Sequence, residues 1–184
     1  WQRTVELVLG LAPEHLALYA LTVEHGTPLA HWTDRGLLGE PDPDVAADMY
    51  EWAASRLAEA GYEQYEISNW AVSRNGRLLS CQHNLQYWRN LPYLGLGAGA
   101  HGFANGLRAA NLLAPRAYIQ SLEGQRRSTA SQRLFPFPTT PATQQAQSID
   151  REAEMGETMM MGLRLTREGV PAKVFQARFG QSLE

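Results

Sequence analysis

At 184 residues with a formal net charge of −3, the chain has room for one domain, or for a large part of one plus a small second one. Its 44% apolar content is that of a soluble globular chain, no apolar run approaches the roughly 20 residues that span a bilayer, and its mild acidity argues against a nucleic-acid binder that works by neutralising phosphates. One cysteine permits neither an internal disulfide nor a thiolate-only metal site, which fits a reducing cytoplasm and means that any iron–sulfur cluster would take its thiolates from elsewhere.

Trp1-Gln2-Arg3-Thr4 opens as a helix already under way, so the chain is expected to be a piece of a longer protein. Val5, Val8, Leu9 and Leu11 continue that helix until the Pro13 region ends it. The run His15 to Glu24 is rich in strand formers and apolar on both faces, and predicts a buried parallel strand broken at Gly26-Thr27-Pro28. Asp42 is a candidate N-cap with Pro43 at the first helical position. Val45, Met49, Trp52, Ala53, Leu57 and Ala60 then form one stripe, and Gly61 suits a left-handed C-terminal cap, so a helix is predicted over 43–60. Tyr62 to Trp70 reads as a strand. Strand, helix, strand predicts a βαβ unit with parallel strands, and chemistry at their carboxyl ends near Thr22 to Glu24 and Ser68 to Trp70. Glu24 and Glu66 are the acids nearest those ends, although nothing in their spacing selects acid–base work.

The stretch from Ser80 to Phe103 concentrates the unusual residues: Cys81, His83, His101, the Tyr87-Trp88 pair and glycines at 95, 97, 99 and 102. Glycines in a strand-like run weaken it and are tolerated where a ligand or another backbone must come close. Gly95-Leu96-Gly97-Ala98-Gly99-Ala100 matches the dinucleotide pattern on paper, but that pattern needs a helix to follow, and His101, Gly102, Asn105 and Gly106 argue against one. His83-Asn84-Leu85-Gln86-Tyr87-Trp88 offers an imidazole, an amide and two large rings, a set suited to an iron-bound planar macrocycle. The bland alternative is that Tyr87 and Trp88 are core and His83 hydrogen-bonds a neighbour. Cys81, two residues before His83, could add a thiolate, but a lone cysteine is more often a small buried hydrophobe, and His15, His25 and His31 are treated as ordinary.

Beyond Asn105-Gly106, a short helix is predicted over 115–122, and the Pro-, Thr- and Gln-rich residues 124–147 read as an interdomain linker. A further helix starts near Asp150 with Met155, Met159 and Leu163 on one face. Gly169-Val170-Pro171 makes a turn before a short helix closed by Gly180. Lys173 and Arg178 are thin support for a helix-turn-helix on nucleic acid.

The segments His15 to Ala30, Gly61 to Ala71, His83 to Trp88, Tyr93 to Gly102 and Glu154 to Leu183 together resemble the HemW family of radical S-adenosylmethionine proteins, similar to oxygen-independent coproporphyrinogen III oxidase. The resemblance implies an α/β fold: residues 1–123 as the later part of a partial, TIM-like radical SAM barrel, 124–147 as a linker and 148–184 as the beginning of a small helical, winged-helix-like C-terminal domain. It implies a cytoplasmic haem chaperone that passes haem to apoproteins, with a [4Fe–4S] cluster and S-adenosylmethionine in the full-length parent. The alternative is a coproporphyrinogen III oxidase acting by radical decarboxylation. Carried over residue by residue, His83 is the haem-iron ligand, with Asn84, Tyr87 and Trp88 around the haem. Thr22, Gly95, Gly97 and Gly99 are the S-adenosylmethionine contacts. The family's Cys-x-x-x-Cys-x-x-Cys cluster motif has no counterpart in this chain, which is therefore expected to be inert alone in radical chemistry. Partners are expected to be haem or porphyrin and recipient apoproteins, with no nucleic acid and no membrane span. Homodimerisation is left open.

Overall fold

The computed structural model describes residues 1–127 and 135–183, and the chain divides into two compact units, 1–81 and 82–184. In the first unit, helix α1 (Gln2–Gly10) precedes strand β1 (His15–Ala17), helices α2 (Pro28–Asp34) and α3 (Pro43–Glu59), and strands β2 (Tyr62–Glu66), β3 (Asn69–Arg74) and β4 (Arg77–Leu78). The sheet runs β1-β3-β2, with β4 pairing β3, and every pairing is antiparallel.

Helix α3 forms where the sequence predicts it. The Asp42 carboxylate accepts from the Asp44 and Val45 backbone N–H groups (2.9 and 3.3 Å), Pro43 opens the helix, and Gly61 follows its end at φ +84°. Its buried face is narrower than the predicted stripe: Ala53 and Leu57 are fully covered, whereas Val45 is 52% exposed. Leu57 joins Tyr62 and Trp70 in the core, with Leu9, Leu16, Leu18, Ala54 and Val72 packed around them.

The predicted βαβ connection is met in direction, since β1 and β2 point the same way on either side of α3 in the chain, but the two strands are not neighbours in the sheet. Only His15–Ala17 of the first expected strand is extended, and Tyr62 to Trp70 is two strands rather than one. The cause is local. Glu66 is completely buried, and its Oε1 accepts from the Ser68 backbone N–H (2.9 Å) and from the Asn69 side-chain amide, which folds the chain back after Ile67. Strand β3 therefore lies between β1 and β2, which point the same way without touching. A second reversal, Asn75-Gly76 at φ +54° and +73°, joins β3 to β4 in the geometry that right-twisted hairpins prefer.

The second unit contains helix α4 (Gln82–Trp88), strands β5 (His101–Ala104) and β6 (Leu107–Asn111), helix α5 (Pro115–Arg127), strand β7 (Thr143–Ser148) and helices α6 (Arg151–Gly162) and α7 (Ala172–Phe179). Its sheet is β5-β6-β7, again antiparallel, with Asn105-Gly106 as the β5–β6 turn at φ +52° and +67°. Residues 143–148, expected within a linker, are strand β7, and α5 runs on to Arg127; residues 128–134 of the expected linker lie outside the described residues. An edge strand whose side chains from Gln144 to Ser148 all face solvent has no apolar alternation to announce it. The C-terminal expectations are met more closely. Asp150 caps α6 by accepting from the Ala153 N–H (2.8 Å), and Gly180 ends α7 in the left-handed region at φ +62°.

His15 is not an ordinary surface histidine. Its Nε2 lies 2.8 Å from the Tyr65 hydroxyl, and partial burial pulls its pKa below the usual 6.5, with the Glu66 carboxylate opposing. A depressed folded-state pKa contributes stability above 6.5 that is lost as acid forces the proton on. Thermal unfolding followed from about pH 7.5 to about pH 5 should thus show a falling midpoint. His15→Gln should flatten that decline, and an unchanged slope in the variant would remove His15 as the titrating group.

Candidate ligand-binding site

The sequence motif of residues 83–88 is helix α4, and its ending is specific. Asn90 takes φ +47°, its N–H donates to the Tyr87 carbonyl (2.8 Å), and the Leu91 N–H reaches the Gln86 carbonyl (3.0 Å). These two bonds form a Schellman cap with asparagine in the usual glycine place, and Pro92 prevents continuation. The Asn90 side-chain amide, buried, then donates to Thr158 Oγ1 (3.0 Å), and the Thr158 hydroxyl donates to the Glu154 carbonyl (2.7 Å). The cap of α4 is thereby fastened to the middle of α6.

Helical spacing splits the motif into two neighbouring stripes. His83 and Tyr87, four apart, share one: their rings meet edge-on at 4.8 Å, and Tyr87 meets Tyr93 at 4.6 Å. His83 is exposed, and its imidazole nitrogens have no hydrogen-bond partner among the described residues. Tyr93 continues toward Phe103, and burial holds its phenol pKa above the usual range, so the hydroxyl is neutral. Asn84 and Trp88 form the other stripe. Trp88 carries the Arg164 guanidinium 4.4 Å from its ring centroid, while its buried indole N–H has no hydrogen-bond partner among the described residues. The structure thus brings His83 and Tyr87 together and sends Trp88 elsewhere. A free, exposed imidazole flanked by aromatic edges is a donor set that fits an axial ligand to haem iron; Trp88, behind its cation, does not share that face.

The glycine run is not a dinucleotide loop, because β5 rather than a helix follows it. A Cβ on Gly95 would collide with the His101 carbonyl, so here it is another stretch of backbone that comes close. Asn111 organises this loop: its buried amide donates to the Gly95 and Gly97 carbonyls (both 3.1 Å). The Gly97 N–H donates to the Tyr118 hydroxyl (3.1 Å), and Gly99, at φ +70°, gives its N–H to the Leu112 carbonyl (2.9 Å). These groups are already engaged within the loop, a poor fit to cofactor contacts. Thr22, exposed and outside any strand, belongs to the first unit and the glycines to the second, so neither unit by itself assembles the expected S-adenosylmethionine set. Cys81 is half-buried and unpaired by any disulfide, and among the described residues no group of three or more His, Cys, Asp or Glu side chains could hold a metal ion. Glu24 is exposed, and Glu66 is absorbed in the β2–β3 turn. Arg178 is tied to Glu154 and stacked on Phe179.

Sequence reading missed Asn90, Asn111, Thr158 and Arg164. Only Asn90 left a signal, an asparagine two residues before a proline at the end of an apolar helix.

Comparison with known proteins follows the same lines. The HemN C-terminal domain model matches residues 149–184. The chain is 33% identical to the Heme chaperone HemW of Bacillus subtilis over its whole length and 43% of that relative, and 36% identical to the Synechocystis protein of the same name over 90% of this chain and 36% of that one. Over 102 residues it is 46% identical to the mouse radical S-adenosyl methionine domain-containing protein 1, mitochondrial, covering 55% of this chain and 22% of the relative. The structure of coproporphyrinogen III oxidase (HemN) from Escherichia coli, a radical SAM enzyme, superposes with a TM-score of 0.64 at 14% identity, covering 98% of this chain and 40% of that one. The chain spans less than half the length of these relatives. Its mixed α/β architecture is that of the HemN radical SAM fold. Together these matches support a HemW/HemN-like radical SAM family relationship for the chain.

Two sets of substitutions check the local account. Asn90→Ala should destabilise the chain by about 2 kcal/mol, through the lost buried bond and the left-handed backbone, and Asn90→Gly by less because the backbone cost disappears; denaturant titration reads both. Gly95→Ala should cost about 3 kcal/mol through the backbone collision, whereas Gly97→Ala, strained only in φ, should cost about 1 kcal/mol. Equal costs at 95 and 97 would contradict the close approach.

Proposed function

We propose that this chain is the haem-handling part of a HemW-type haem chaperone, with His83 as the iron ligand. One observation carries the reading: His83 is exposed, unpartnered among the described residues, and set at 4.8 Å against Tyr87 on a helix whose end is locked by a Schellman cap. A neutral imidazole nitrogen supplies the lone pair to iron. Tyr87 and Tyr93 present apolar ring edges to a macrocycle, and Asn84, one position along the helix, offers an amide to its periphery. Relatives named as haem chaperones support the same assignment.

Haem supplies the coordination site when bound; the residues of α4 orient and hold it. Transfer to a recipient apoprotein follows naturally from an exposed ligand, because a recipient's own donor can approach without unfolding the helix. In the full-length parent, an iron–sulfur cluster and S-adenosylmethionine would be held mainly by residues outside this chain, in keeping with its single cysteine. Because the backbone groups of Gly95, Gly97 and Gly99 are already engaged, only Thr22, an exposed side chain, remains of the expected S-adenosylmethionine contacts as a proposal. No helix among the described residues is long and apolar enough to cross a membrane, and a cytoplasmic setting is part of this proposal.

The second reading, coproporphyrinogen III oxidase, is favoured by the HemN structural likeness, which speaks for the fold. Turnover of coproporphyrinogen to protoporphyrinogen by the full-length protein would favour the oxidase over the chaperone.

Titration of haem against this chain, followed at the Soret band, tests the ligand. Wild type should bind one equivalent with the spectrum of an imidazole-ligated haem. His83→Ala should weaken binding at least about tenfold and shift the band. Tyr87→Ala should weaken it by less, with the ligated spectrum kept. Unchanged affinity and spectrum in His83→Ala would remove this histidine as the ligand.

A further inference from the structure

The second unit contains a cavity of about 630 Å³ that His83 and Tyr87 do not line. Trp88, Phe103, Val170, Val174 and Phe175 form its largely apolar wall, within the size range of small-molecule sites. Gly162 lies at its edge, where a Cβ would collide with the Val170 side chain, so the close packing of the α6 end against the turn before α7 shapes the wall.

Two arginine–glutamate pairs, Arg89 with Glu168 and Arg178 with Glu154, border this apolar space. Arg89 donates from Nε and Nη2 to Glu168 (2.9 and 2.6 Å), and Arg178 donates from the same two nitrogens to Glu154. In both guanidiniums Nη1 has no acceptor among the described residues. Each cation is thus fixed in direction by one carboxylate while keeping hydrogens to give to another, and arginine recognises carboxylates best in such a fixed fork. An apolar cavity alone would accept any greasy molecule. The two ion pairs carry no net charge, so a preference for an acidic end rests on the hydrogens that Nη1 of each oriented guanidinium still has to give.

We propose that this cavity is a ligand site separate from the His83 face, and that it takes an apolar, ring-bearing molecule carrying a carboxylate. The rings lie against Trp88, Phe103 and Phe175, and the carboxylate accepts from Nη1 of Arg89. No covalent step is involved. This proposal does not depend on the haem reading, since none of its contacts uses His83.

The test uses this full chain with two fluorescent probes, 1-pyrenebutyrate and the uncharged 1-pyrenebutanol. Pyrenebutyrate should bind saturably at one equivalent and more tightly than the alcohol. Arg89→Gln should weaken the acid about tenfold and the alcohol less than about twofold, as loss of one charge-assisted contact requires. Glu168→Gln, which removes the competing carboxylate, should strengthen the acid. Val174→Trp should lower the affinity for both probes at least about tenfold by filling the mouth. Val174 is 62% exposed, so the larger ring need not enter the packed core. His83→Ala should leave pyrenebutyrate binding unchanged while altering the haem spectrum, which separates failure of this site from failure of the haem assignment. Should Val174→Trp unfold, the Arg89 and Glu168 arms decide alone. Equal affinities for acid and alcohol that neither charge variant moves would overturn the proposal, as would pyrenebutyrate binding that survives Val174→Trp in a folded chain.

Discussion

The second unit depends on one buried hydrogen bond, from the Asn90 side chain to Thr158. Asn90 does two things at once. Its backbone turns the chain out of α4 in the left-handed region, and its side chain satisfies a hydroxyl inside α6. A glycine would make the turn at lower conformational cost but could not reach Thr158, so the asparagine is the residue that serves both. The Arg164 guanidinium over Trp88 adds a second attachment near the same helix end. Together they hold the stripe bearing His83 and Tyr87 at a set angle.

Asn111 plays the corresponding part for the glycine loop. A single buried amide spans two carbonyls two residues apart, while its own carbonyl oxygen accepts from the Thr140 hydroxyl (3.3 Å). At Gly95 the bare backbone is what lets the His101 carbonyl come near. Buried polar groups are costly unless paired, and here the pairing itself shapes the loop.

Sequence patterns exposed helices α3, α6 and α7 well because helix ends carry their own chemistry: Asp42 with Pro43, Asp150, and Gly180 all stand where the chain starts or stops turning, whereas α2 and α4 were not anticipated. The strands were far less legible. Tyr62 to Trp70 looks like one strand because its hydrophobicity is continuous, and only the buried Glu66 carboxylate, whose partners are two and three residues on, reveals the reversal. Strand β7 was hidden for the opposite reason, since a solvated edge has no buried face to pattern. At the candidate site, the motif gave the residue types, but its division into two stripes emerges only once α4 is known to be a helix of that register. The partners of α4, Thr158 and Arg164, sit about 70 residues downstream of it, a separation that local periodicity cannot bridge.

Helix α4 has seven residues, fewer than an isolated helix needs to persist in water. Its shape is therefore borrowed from the cap, the Arg164 stack and the aromatic edge beside it. Copying the six-letter signature into a foreign surface helix would transfer the donors without the scaffold that aims them. The functional unit that evolution or a designer must move is the helix, its asparagine stop and the receiving wall of α6 together.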